Sequence, residues 1–221
     1  MVYIVQAEEQ DITLDLLQQL AAVLLAESSG LTHADATYRI HSSHGILPVA
    51  DKAEATRISQ RFNEFGFRNF VLDELLGLPK PEHLNLEKPE VGGEVGLAVV
   101  ARLRLVTERT IRSFNPRRFT LSLAVTGIPL RSSGIEERTV EESDTRDCLD
   151  LFTPGKHSRA RPESSLPIQA LLGNAAISNA YLSAGARSLM RGDRKSIPTF
   201  EKEDNHDKYV TWLYQLRYTR G

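Results

Sequence analysis

Between Gly96 and Gly127 the chain alternates apolar and polar residues twice. The first run is Ala101-Arg102-Leu103-Arg104-Leu105, and the second is Phe119-Thr120-Leu121-Ser122-Leu123-Ala124-Val125. Successive side chains on a strand point to opposite faces, so this period of two predicts strands with one buried side. Asn115-Pro116 marks a turn between them. The stretch therefore reads as a core ribbon. Its polar positions are basic: Arg102, Arg104, Arg109, Arg112, Arg117 and Arg118 stand against a single acid, Glu108. Guanidinium forks suit phosphate, which makes Arg102, Arg104, Arg117 and Arg118 the candidate binding residues. Sheets that bind single-stranded RNA add aromatic platforms to the same face. Here Phe119 points the other way, so an acidic protein surface is as good a partner as a polyanion.

Charge is unevenly spread along the rest of the chain. Residues 1–100 hold 7 Lys and Arg against 15 Asp and Glu, while residues 101–221 hold 20 against 14. Such a split suits an anionic partner for the second half, or two halves docked on each other. The single cysteine, Cys148, allows no internal disulfide, which fits a reducing compartment. It lies in a strand-like run and reads as a small buried hydrophobe rather than a nucleophile. The apolar run Ile12–Ala26 follows Glu8, Glu9 and Asp11, the wrong charge for a signal peptide, and it is too short and polar to span a membrane. The expected location is cytoplasmic, with no membrane partner.

Local signals give the elements. Val2–Val5 predicts a strand. Asp11 or Thr13 caps a helix with Leu14, Leu17, Ala21, Leu24 and Leu25 on one face, and Gly30 sits where a left-handed cap would end it. Ala36–His41 reads as a second strand and Ser42–Gly45 as a turn. Asp51 and Glu54 start a helix whose face carries Ala55, Ile58, Phe62 and Phe65 and which stops at Gly66. Phe67–Leu72 is a third strand. This β-α-β-α-β cadence is that of small ferredoxin-like domains, a likeness of pattern that transfers no function. The Pro- and Gly-rich segment 79–93 reads as a linker. The expectation is an α+β protein: a βαβαβ ferredoxin-like-type domain over residues 1–78, then an antiparallel β-sheet with C-terminal helices over 94–221. In that second part Glu136–Ser143 and Cys148–Phe152 read as strands, Lys156–Glu163 as a basic loop, and Leu166–Met190 as a helix broken at Gly173. In Asp207–Tyr218, Tyr209, Trp212, Leu213 and Leu216 fit a helix face and Val210, Trp212, Tyr214 and Leu216 a strand, and the capping lead-in through Asn205 and Asp207 favours the helix.

Chemical motifs are sparse. There is no nucleophile elbow and no phosphate-binding glycine loop. His41 and His44, with His33 and Asp35 upstream, form the one histidine cluster and are weak metal candidates. Their spacing does not match a zinc-binding helix face, so no metal or cofactor is predicted. The reading is a non-catalytic intracellular protein-interaction or regulatory module, with protein as partner. Two alternatives stand beside it. One is an enzyme whose site is assembled from distant residues near His41 and His44. The other is a nucleic-acid or polyanion binder using the Arg-rich strand pair.

Overall fold

Val2–Gln6 is buried along nearly its whole length because it lies in the middle of a sheet. This strand, β1, is flanked by β2 (Ile46–Val49) and β3 (Asn69–Leu72), both antiparallel to it. Three helices, α1 (Leu14–Glu27), α2 (His33–Ser42) and α3 (Lys52–Glu64), share one core with this sheet, in which Ile4, Leu20, Leu24, Ile40, Leu47, Ile58 and Phe62 are buried. The computed structural model describes residues 1–89, 91, 93–114, 135–174 and 177–219. No helix among them is long and apolar enough to cross a membrane.

Local capping explains where these helices begin. Thr13 Oγ1 accepts from the Leu16 amide at 3.3 Å, so Thr13, not Asp11, caps α1. Asp51 does the same for α3, accepting from the Glu54 amide at 2.9 Å. Gly66, at φ +79°, follows the end of α3 as expected. Gly30 is also left-handed, but it lies beyond the α1 cap, Ser28, and turns the chain instead. Phe65 is exposed and does not join the apolar face of α3.

Ala36–His41 is not a strand. It belongs to α2, opened by a reciprocal capping box in which the Asp35 amide donates to Thr32 Oγ1 and the Thr32 amide to Asp35 Oδ2, each at 3.1 Å. Ala36 and Ile40, one helical turn apart, enter the core while Tyr38 stays exposed. Capping and burial override the β-preference of Thr37, Tyr38 and Ile40. The order is therefore β-α-α-β-α-β. The α+β class holds, but the ferredoxin-like detail does not follow: this sheet has three strands in the order β2-β1-β3. β2, α3 and β3 form a split β-α-β unit with β1 inserted between the two strands.

The second sheet contains β4 (Pro81–His83), β5 (Leu97–Phe114), β6 (Ile135–Thr153), β7 (Lys156–Ala160), β8 (Tyr181–Leu182) and β9 (Thr199–Phe200). Its order is β4-β7-β6-β5-β8, with β9 also on β5. It is mixed rather than antiparallel. β6 and β7 pair antiparallel across a tight turn, whereas β4 pairs parallel with β7, and β8 and β9 parallel with β5. Parallel partners need a crossover, and for β8 and β9 it runs through α4 (Leu166–Leu172) and α5 (Ala184–Met190). Lys156–Ala160 is thus a strand, not a loop, and the segment expected as a linker carries β4. The Asn115-Pro116 turn and the Phe119–Val125 strand lie outside the described residues.

The chain forms two compact units, residues 1–103 with 146–221, and residues 104–145. The first holds the whole three-stranded sheet and the core of the second sheet. In it α6 (Glu203–Tyr218) is tied to the N-terminal strands and their outlet: Trp212 Nε1 donates to Gln6 O at 2.8 Å, and Gln215 Nε2 donates to Leu76 O at 2.8 Å. The second unit contains the remaining lengths of β5 and β6, on which Val106, Ile111 and Val140 are exposed.

Candidate functional site

Cys148 and Asp150 stand two residues apart on β6, so both point to the same face, and that face is the protein interior. The register of β6 with β7 sets Asp150 opposite Arg159 and Phe152 opposite His157. From α6 come His206, fully buried, and Asp207, which is partly exposed. Asp150 is the hub. Its Oδ1 lies 2.6 Å from His157 Nε2 and accepts from Arg159 Nε. Its Oδ2 lies 3.1 Å from His206 Nε2 and 3.7 Å from Cys148 Sγ. The outer end of Arg159 is held by Asp207, with Nη2 to Oδ1 at 2.7 Å, and Arg161 pairs with Glu203. Phe152 stacks on His157, ring centroids 4.2 Å apart, and closes one side of the cluster.

The electrostatics follow from this packing. Burial works against the Asp150 charge, but the contacts from His157 and His206 and the Arg159 guanidinium outweigh it and hold the carboxyl well below the usual carboxylate range. Burial, and then the charge of Asp150, push the Cys148 thiol up to about 12. Cys148 is therefore no activated nucleophile. Iodoacetamide at pH 8 is expected to leave it unmodified in the folded protein and to modify it in urea. Mass spectrometry reads the difference, and rapid native labelling would contradict the burial of the thiol.

A groove of about 730 Å³ lies beside β2. Tyr3, Ile46, Pro48 and Leu75 contribute apolar surface, and Arg39, Asp204, Asp207 and Lys208 add charge. β2 is an edge strand. Its ladder phase is set by the Gln6 amide, which donates to Gly45 O at 2.8 Å. Counting along the register from that bonded pair, Pro48, opposite Tyr3, falls where an N–H would face away from β1. Proline has no such donor, so the free edge is a poor template for another strand.

The histidine cluster is gathered only in part. His33 caps nothing and lies beside Thr37 on α2, and Asp35 is spent on the Thr32 cap. His41 and His44 line one small cleft of about 220 Å³ with Glu9, Asp11 and Tyr209. His44 has φ 45° in the turn that ends α2, and burial lowers its pKa. Glu9 is already engaged, accepting from the Ala184 amide at 2.7 Å and Tyr209 Oη at 3.1 Å. Among the described residues, the group whose ligand atoms lie close enough to share a metal is Cys148, Asp150 and His206.

The arginines also separate. Arg102 Nε donates to Asp147 at 2.8 Å, both side chains being largely buried. Arg104 is exposed and belongs to the 104–145 unit. Arg117 and Arg118 lie outside the described residues. The Asp150 cluster had one legible sign, the alternation that puts Cys148 and Asp150 on one strand face. Nothing in the sequence ties that face to His206, which arrives on α6. No family model, no curated protein and no solved structure matches this chain.

Proposed function

We propose that this chain is a non-catalytic protein-interaction module that seats a segment of a partner polypeptide in the groove beside β2. The supporting observation is the groove itself. Its volume of about 730 Å³ falls within the ~300–1,000 Å³ range of binding pockets. Pro48 removes a backbone donor from the free edge, so side chains rather than an added strand carry the recognition. Asp207 is held by Arg159, which leaves Arg39, Asp204 and Lys208 to meet the partner. The matching segment is one with an apolar anchor flanked by charges of both signs. The polyanion alternative draws less support, because Arg102 is committed to Asp147.

Peptide display against the full chain tests this. Peptides selected on the wild type are expected to carry that apolar-anchor pattern. They should bind the groove-filling variant Ser42→Trp at least about tenfold more weakly, and a distant control, Gln18→Trp, unchanged. Selected peptides that bind Ser42→Trp as tightly as the wild type would place recognition elsewhere.

A further inference from the structure

We propose that Cys148, Asp150 and His206 form a binding site for a divalent ion of zinc-like chemistry. All three residues are fully buried, and one ligand atom from each lies within 4.8 Å of the others. The second observation is His206. Its Nε2 is 3.1 Å from Asp150 Oδ2 yet out of line for a hydrogen bond, and neither ring nitrogen has a hydrogen-bond partner. A buried imidazole without a hydrogen bond is costly, and a metal on Nε2 would satisfy it.

The spacing fits. Bond lengths of about 2.3 Å to sulfur and about 2.0 Å to oxygen and nitrogen put tetrahedral ligands about 3.5 Å apart for S···O and about 3.3 Å for N···O. The corresponding separations are 3.7 Å from Cys148 Sγ to Asp150 Oδ2 and 3.1 Å from His206 Nε2 to the same oxygen. Charged groups surround the site. His206 Nδ1 lies 3.7 Å from Asp207 Oδ1, a charge contact longer than a hydrogen bond. The other oxygen of Asp150 is fixed by His157 and Arg159, which leaves Oδ2 for the ion.

Charge is balanced as well. On binding, the Cys148 S–H bond breaks, its proton leaves to solvent, and the sulfur lone pair bonds the ion. Thiolate and carboxylate then supply two negative charges for a dication, while Asp207 and Glu203 offset Arg159 and Arg161. Mixed sulfur, nitrogen and oxygen donors select zinc, or cobalt as its probe, over magnesium or calcium.

Titration of chelator-treated full-length protein with Co²⁺ tests the site. One equivalent should bind and give a sulfur-to-cobalt charge-transfer band. Cys148 is the only cysteine in the chain, so such a band has one source. Cys148→Ser should abolish it, and His206→Gln should weaken binding at least about tenfold, with circular dichroism confirming the fold of each. A folded wild type without the band in excess Co²⁺, or a band whose affinity is unchanged in His206→Gln, would overturn the assignment. Should either variant fail to fold, X-ray absorption of the zinc-loaded wild type decides: a shell of one sulfur with nitrogen and oxygen supports the site, and a shell without sulfur refutes it.

Discussion

Asp150→Ala, measured in chelator so that no bound ion contributes, is expected to lower the unfolding free energy by about 3–5 kcal/mol. The loss is large because one carboxylate neutralises Arg159 and contacts two buried imidazoles. Without it, the Arg159 guanidinium, only 9% exposed, loses its inner counter-charge, and His157 Nε2 faces a void. For a chain of this length that corresponds to roughly a 10 °C fall in melting temperature. A double variant, Asp150→Leu with Arg159→Met, should lose less than the two single changes summed, because it removes both charges together. Additive losses would mean that the pair does not interact. The same residue sets an acid limit. The folded carboxyl titrates below the unfolded value of about 4, so under that pH the unfolded chain binds the proton first. The contribution is therefore complete above about pH 4 and is lost as pH falls toward the depressed folded value. Asp150→Asn should flatten this slope in acid unfolding curves.

Gly45→Ala is expected to cost about 3–4 kcal/mol, against about 1–2 kcal/mol for Gly66→Ala. Both glycines have positive φ, +89° and +79°, so each substitution meets the same backbone penalty. They differ in space. A Cβ at Gly66 would meet nothing within 4 Å, whereas one at Gly45 would run into the Trp212 ring. That ring cannot simply move aside, because its Nε1 donates to Gln6 O and the residue is 5% exposed. The comparison isolates packing from conformation, and urea denaturation of the two variants reads it. Equal losses would show that Trp212 yields freely and that α6 is not held against β1 by this contact.

The elements that were legible are those whose signals lie within a few residues. Thr13 and Asp51 caps, the stop at Gly66 and the β1 strand all rest on local backbone needs and on one apolar period. For α2 a local sign is also present, since Thr32 and Asp35 spell a capping box ahead of Ala36 and Ile40, but the β-preference of Thr37, Tyr38 and Ile40 competes with it. Strand direction was not legible in the same way. Two-residue strands such as β8 and β9 carry no period of their own and exist because β5 offers them an edge.

The Arg-rich alternation of Ala101–Leu105 did mark a strand, β5, with Ala101 and Leu103 buried and Arg104 exposed, so the sequence by itself determined which face of that run turns inward. What its arginines do was decided by tertiary structure, since Arg102 meets Asp147 only through the folding of β6. The Asp150 cluster shows the same division. The period of two put Cys148 and Asp150 on one face. Whether that face would be a plain apolar core or a charged centre depended on His157 and Arg159 from the neighbouring strand and His206 from the last helix. Local pattern reports which side of an element is buried, because burial is set by the element's own periodicity. It does not report what lies opposite, because that is chosen by contacts between segments distant in the chain.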